Sequence, residues 1–226
     1  MFMPNNELDK SNKYINEFFD LTCYPDILDI LNPISGRKKE ITESMAVIKQ
    51  IKKIVLKKPD KTFILYDFCA GNALTSTLAC FLFKNVVAFP IDKAVRKRDW
   101  HKIDRLEYIQ SDIKKENWNS LIHYSLLRQP LFTEVIIIGV HSCGELAKEI
   151  INIYNGSQSD HLIMMPCCTS GKYKFSVPQA IQQKIGGYLT WCMYLLDLVK
   201  GKKRLIIDES IISPKNALII ATREEE

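Results

Sequence analysis

Seven short apolar runs, rich in β-branched or aromatic residues, recur from residue 62 onward: "TFILYD", "VVAFPID", "LEYIQSD", "EVIIIGVHS", "HLIMMPCC", "KRLIIDES" and "ALIIATR". Stretches of helical character follow the first five, at residues 73–83, 93–99, 114–127, 144–154 and 186–200. Strands alternating with helices predict a parallel sheet covered on both faces, because a right-handed crossover lays each helix over the sheet. Only the turn "IISPKN" separates the last two runs, so they are expected to close one edge as an antiparallel hairpin. The predicted fold is therefore α/β, a Rossmann-like seven-stranded, mostly parallel sheet with an antiparallel C-terminal hairpin.

The segment before residue 59 has a different texture. "ELDKSNKYINEFFDLTCYPDILDIL" carries apolar residues at helical spacing interrupted near Pro25, which predicts two short helices. "ITESMAVIKQIKKIVLKK" reads as one amphipathic helix with Met45, Ile48, Ile51, Ile54 and Val55 on a face, ended by Pro59 and Asp60. The expected organisation is an N-terminal helical cap over residues 1–58 and a catalytic domain over residues 59–226.

Composition narrows the class. With 46% hydrophobic and 25% charged residues, the 226-residue chain matches an ordinary globular protein. No apolar stretch reaches the ~20 residues that span a bilayer, and "MFMPNNELDK" lacks the features of a signal peptide, so no membrane partner and a cytoplasmic location are expected. Seven scattered cysteines argue for reduced thiols. The net charge of +5 permits a nucleic-acid partner without requiring one.

In open α/β sheets ligands bind at the carboxyl ends of the strands. Acids recur there in this sequence: Asp67 in "LYD", Asp92 in "FPID" and Asp112 in "IQSD". Each alone is equally well a helix cap or loop aspartate, but three in register favour a ligand. A pyrophosphate cofactor wants G-x-G-x-x-G with no carboxylate at the phosphates, whereas "DFCAGNAL" has one glycine and puts Asp67 at the loop mouth. That disfavours a nucleotide-dependent oxidoreductase and favours a ligand with amine, hydroxyl and cationic groups, for which S-adenosylmethionine (SAM) fits all three acids.

A second cluster comes from "GVHSCGELA" and "MMPCCTSGKY", which follow the fourth and fifth runs and belong to expected neighbours in the sheet. His141, Cys143, Cys167 and Cys168 are thereby brought towards one another. Three readings compete: a zinc site, a nucleophilic thiol activated by His141, and a pocket floor in which these groups bond to backbone. Adjacent cysteines are awkward chelators and no C-x-x-C is present, so no metal is expected.

These residues resemble a known family. "DFCAGNA" looks like the first motif, D-x-G-x-G-x-G, of class I SAM-dependent methyltransferases, with Cys69 and Ala73 where glycines are usual. The resemblance implies a SAM site made by Asp67, Cys69, Ala70, Gly71, Asn72, Asp92, Lys93, Asp112, Ile113 and His141, with Asp92 at the ribose and Asp112 at the adenine. "HSCGEL" followed by "PCC" is similar to a methyltransferase-like branch that includes a tRNA 2'-O-methylating enzyme, and "GRKKEITE" resembles its basic segment ahead of the catalytic domain. The resemblance implies a methyltransferase acting on RNA, with His141, Cys143, Cys167 and Cys168 as catalytic candidates. A catalytically inactive SAM- or RNA-binding module is the alternative. Basic residues at 92–105, "GRKKE" and "SGKYK", interleaved with Trp100 and Tyr173, suggest a phosphate-tracking surface with stacking aromatics, or equally a set of solvated helix faces.

Overall fold

The computed structural model describes residues 12–32, 37–94, 96–128, 133–169 and 178–223. Seven strands form one sheet: β1 (Thr62–Phe68), β2 (Val86–Asp92), β3 (Ile109–Gln110), β4 (Thr133–Val140), β5 (His161–Met165), β6 (Lys202–Ile207) and β7 (Ala217–Thr222). Their order is β3-β2-β1-β4-β5-β7-β6. Strands β1 to β5 pair in parallel, whereas β7 runs antiparallel to both β5 and β6. The seven-run pattern and the terminal hairpin are both present.

The period-2 alternation of β1 sorts the core into two layers. Phe63 and Leu65 face α1 (Lys13–Phe19), α2 (Tyr24–Ile30), α3 (Arg37–Val55) and α4 (Leu74–Leu82). Ile64, Tyr66 and Phe68 face α5 (Trp118–Leu127), α6 (Glu145–Gly156) and α7 (Gln179–Leu198). Burial on both sides explains why β1 and β4 read as continuous apolar runs. The N-terminal helices share the first layer with the sheet: α3 buries Ile41, Met45, Val47, Ile48, Ile51 and Val55 there. Pro25 stands in the first turn of α2, where its missing N–H costs nothing.

Some sequence expectations need correction. Residues 93–99 form a loop, not a helix, among those described. Asp92 Oδ1 takes the Ala94 N–H at 2.8 Å, Arg98 turns to Asn72 Oδ1 at 3.1 Å, and the Asp99 N–H reaches the Ile30 carbonyl at 3.2 Å. These partners pull the chain away from a helical path. A short 3₁₀ turn follows at Trp100–Lys102. Helix α5 starts at Trp118 because Asp112 closes a turn onto Lys114 and Lys115, and Asn117 caps the helix through the Ser120 N–H at 3.2 Å. Helix α7 begins at Gln179 and kinks at Gly186, where φ is 78°. Among the described residues no helix is long and apolar enough to cross a membrane.

Candidate functional site

The loop leaving β1 is built on left-handed backbone. Cys69, Gly71 and Ala73 have φ of 62°, 56° and 58°. A non-glycine residue there costs roughly 1–2 kcal/mol. Cys69 and Ala73 occupy the places where the D-x-G-x-G-x-G pattern carries glycine, so the loop keeps the glycine conformation without the glycines. Pairing holds it: the Ala70 N–H donates to the Ile91 carbonyl at 3.0 Å and the Gly71 N–H to Asp92 Oδ2 at 2.9 Å. From below, Tyr108 donates to the Gly71 carbonyl at 3.3 Å while stacking on Trp100. His141, at the end of β4, is the third left-handed non-glycine residue, with φ 61°. Strained backbone of this kind persists where the surroundings over-determine it, and functional sites are its usual location.

Asp67, the penultimate residue of β1, pairs with Pro90 of β2 and is 2% exposed. Its Oδ2 accepts from Ser76 at 2.8 Å, and its Oδ1 has no partner among the described residues. Burial pushes its carboxyl up to about 7, against the lowering effect of Ser76 and with the Asp92 charge adding to the rise. Asp92, at the end of β2, spends both oxygens on the backbone of Gly71 and Ala94 and so shapes the loop. Asp112 follows β3 on the next strand outward and caps its own turn. Lys93 is exposed, and Ile113 is buried in the second core layer. The three acids therefore stand at the carboxyl side of three adjacent strands. Of the three acids only Asp67 lines the cavity over that edge, together with Cys69 to Asn72, His141 and residues of α3; Asp92, Lys93, Asp112 and Ile113 lie outside that lining.

The α3 wall of this cavity is the part that sequence reasoning missed. Glu40, Glu43 and Ser44 line it, opposite His141. Glu43 is 1% exposed and its Oε2 makes an ion-pair contact with His141 Nε2. Glu40 accepts from Asn72 Nδ2 at 3.3 and 3.4 Å, and burial raises its carboxyl despite Asn72 and Arg96. Glu43 sits inside "ITESMAV", a stretch that the fold buries throughout, where a carboxylate demands a cationic or hydrogen-bonded partner. Nothing in the helical period says that the partner is His141.

The cysteines assemble, but not on the imidazole. Cys143 Sγ and Cys167 Sγ each lie 3.4 Å from the His141 carbonyl, and each lies 3.5 Å from Cys168 Sγ. Burial pushes the Cys143 and Cys167 thiols up. Cys168 is lowered by hydrogen bonds from those two neighbours. Cys69 lies on the cavity wall, where burial and the Asp92 and Asp67 charges push its thiol up to about 12, so it is inert as a nucleophile.

The basic segment 92–105 proves largely structural. Trp100 is 7% exposed and is unavailable for stacking on a base. Arg105 donates to the carbonyls of Phe83, Val86 and Cys80, tying down the end of α4. Lys102 pairs with Asp99 and Asp29. Lys93, Arg96 and Lys97 remain exposed. The "SGKYK" segment with Tyr173 lies outside the described residues.

A chemical test of the site is whether these residues suit SAM. The unpartnered Asp67 oxygen, the carboxylates of Glu40 and Glu43, and open space over Gly71, where an added Cβ would meet only Arg96 Nη2 at 3.9 Å, suit a ligand with ammonium and sulfonium charges. The residues fit. A family model described as "Methyltransferase domain" matches residues 36–171, more than half of the chain. Among solved structures, the magnesium protoporphyrin IX methyltransferase (ChlM) from Synechocystis PCC 6803 with bound SAH is 11% identical, with a TM-score of 0.50 over 93% of this chain and 98% of that one. The CurJ carbon methyltransferase is 12% identical, with a TM-score of 0.53 over 82% of this chain and 55% of that one. The DszA carbon methyltransferase is 10% identical, with a TM-score of 0.50 over 93% and 65%. At such identities the likeness is one of fold. No curated protein matches the sequence.

Proposed function

The chain belongs to the methyltransferase-domain family and is a SAM-dependent methyltransferase, and from that premise we propose that it methylates RNA with His141 as the group that receives the acceptor's proton. One observation carries this reading: His141 lines the cavity beside the β1 loop while buried Glu43 holds its Nε2 from behind. SAM supplies an electrophilic methyl on a sulfonium. The protein has to hold donor and acceptor in a near-attack geometry and to take up the proton that the acceptor loses. An imidazole fixed by a buried carboxylate does the second task, and Glu43 stabilises the imidazolium that results.

For the cofactor, we assign Asp67 to the ammonium group, Asp92 to the ribose and Asp112 to the adenine. Cys69 to Asn72 form the cradle, and Lys93 and Ile113 flank the outer acids. Asp92 acts twice, because it also fixes the Gly71 amide. Replacing Asp92 with Ala is expected to weaken SAM binding by at least roughly tenfold, the loss of one charge-assisted bond. Titration calorimetry on the full chain checks this, with NAD as the comparison ligand that gives no isotherm. Undiminished affinity in the variant would remove Asp92 from the site.

A pH dependence follows from Asp67. With a free-protein value of about 7, an ammonium ligand must displace its proton in acid, so SAM affinity falls as pH drops below about 7. Above about 8 the ligand's own amine loses its proton and affinity falls again. The expected profile is a bell, measured by calorimetry from mildly acidic to mildly basic buffer. Asp67→Asn should erase the acidic limb, and a flat acidic limb in the parent protein would refute the assignment.

The RNA acceptor is supported by exposed Lys39 and Arg96 on the cavity wall, by exposed Lys93 and Lys97 in the loop after β2, and by the +5 net charge. Incubating the chain with bulk RNA and methyl-labelled SAM is expected to label RNA, in a reaction that weakens steeply with salt. Label that appears only on protein or small molecules would reject RNA as the substrate.

A further inference from the structure

Two loops extend the β4–β5 pairing beyond its last strand pair, Val140 with Met165. The His141 N–H donates to the Met165 carbonyl at 3.0 Å and the Gly144 N–H to the Cys168 carbonyl at 3.2 Å, so the loops stay zipped together. Gly144, at φ 53°, turns the chain immediately after Cys143. The result places one sulfur from the β4 loop against two from the β5 loop, all within 4.8 Å of one another. Adjacent cysteines on an extended chain point to opposite sides, yet the bend after β5 brings Cys167 and Cys168 Sγ to 3.5 Å. That bend removes the objection to a vicinal pair as chelator.

The spacing is the decisive quantity. A tetrahedral ion with metal–sulfur bonds of about 2.3 Å separates its sulfurs by about 3.8 Å. The contacts of 3.5 Å from Cys168 to each partner need only a small expansion to meet that. We propose that Cys143, Cys167 and Cys168 form a three-thiolate zinc site at the carboxyl edge of β4 and β5. Cys143 and Cys168 are exposed, which leaves the fourth position to a water molecule. Binding forms three Zn–S bonds and releases three thiol protons to solvent, so the occupied site carries one net negative charge. The Lys39 and Lys215 ammonium groups act on these sulfurs and offset that charge. Binding would take the protons that Cys143 and Cys167 donate to the His141 carbonyl, so the metal–sulfur bonds would replace those two hydrogen bonds as the tie between the β4 and β5 loops beside left-handed His141.

This inference does not rest on the methyl acceptor or on SAM, and metal content reads it without any turnover. The full chain, produced with zinc in the medium and freed of loose metal by gel filtration, is expected to carry about one zinc per chain by elemental analysis. Replacement by cobalt(II) should give a thiolate charge-transfer band and the visible bands of a tetrahedral ion. Cys143→Ser and Cys168→Ser, both at exposed positions, should each lower the zinc content to below roughly a tenth while SAM still binds. Cys192→Ser, a cysteine outside the cluster, should keep it. Less than roughly a tenth of an equivalent of zinc on a chain whose seven thiols titrate as free would overturn the site. So would a thiol count two short with no metal bound, or zinc that survives all the cluster variants.

Discussion

Replacing His141 with alanine lowers the methyl-transfer rate by roughly 10²–10⁴-fold, the range that a positioned acid–base group supplies, and leaves SAM affinity within about threefold. The two readouts separate because the acids at the strand ends are assigned to the cofactor, whereas His141 meets the acceptor. Single-turnover labelling measures the first and calorimetry the second. Glu43 is a positioning residue, so Glu43→Gln should lower kcat by a smaller factor with KM nearly unchanged, since an amide still holds the ring but cannot stabilise its charged form. An H141A protein as fast as the parent would take the imidazole out of the reaction.

Glu134→Ala is expected to cost about 3 kcal/mol of stability, the lower end of what breaking a buried ion pair costs. Its side chain is 5% exposed at the amino end of β4, where it accepts from Lys58 Nζ at 2.6 Å, Lys61 Nζ at 2.5 Å and His161 Nε2 at 3.0 Å. His161 continues to Thr222 on β7 at 3.1 Å, so one carboxylate joins the segment before β1 to β4, β5 and β7. The lysines are about a third exposed and can return to water, which keeps the cost at the lower end. Thermal unfolding should fall by about 6–12 °C for a chain of this size. Burial alone would raise this carboxyl, but His161, Lys58 and Lys61 outweigh burial and hold it well below the usual range. A lowered folded value stabilises above the ordinary carboxylate pKa, so the penalty should be full at neutral pH and fade below about pH 4. Equal urea midpoints for variant and parent at pH 7 would show that the cluster carries no net stability.

The sheet was legible because burial on both faces writes itself as apolar runs, and β1, β2, β4, β5 and β7 lie where "TFILYD" and its counterparts put them. The segment 93–99 was not, since helix-forming composition says nothing about Asn72 capturing Arg98 or Ile30 capturing the Asp99 amide. Only Ile109 and Gln110 of "LEYIQSD" pair as β3, with a single further bridge from Leu106 to Ala88. The position of Asp67, Asp92 and Asp112 at the carboxyl side of β1, β2 and β3 was legible because strand ends are fixed by topology. Glu43 and Glu40 could not, because their partners are far away in sequence, and a charged residue on an amphipathic helix reads as solvent-facing. Trp100 shows the converse: an aromatic among cations suggests a nucleic-acid platform, but its neighbour Tyr108 claims its face.

Both margins of the sheet are poor templates for a further strand. On one side β3 offers two residues, and on the other β6 opens with Lys202, Lys203 and Arg204, all on the solvent side. Strand addition by a second molecule would have to bury cations or settle for a ladder too short to hold. Among the described residues both open edges therefore discourage assembly by continuing the sheet, and the helical faces are the surfaces left for contact with another molecule.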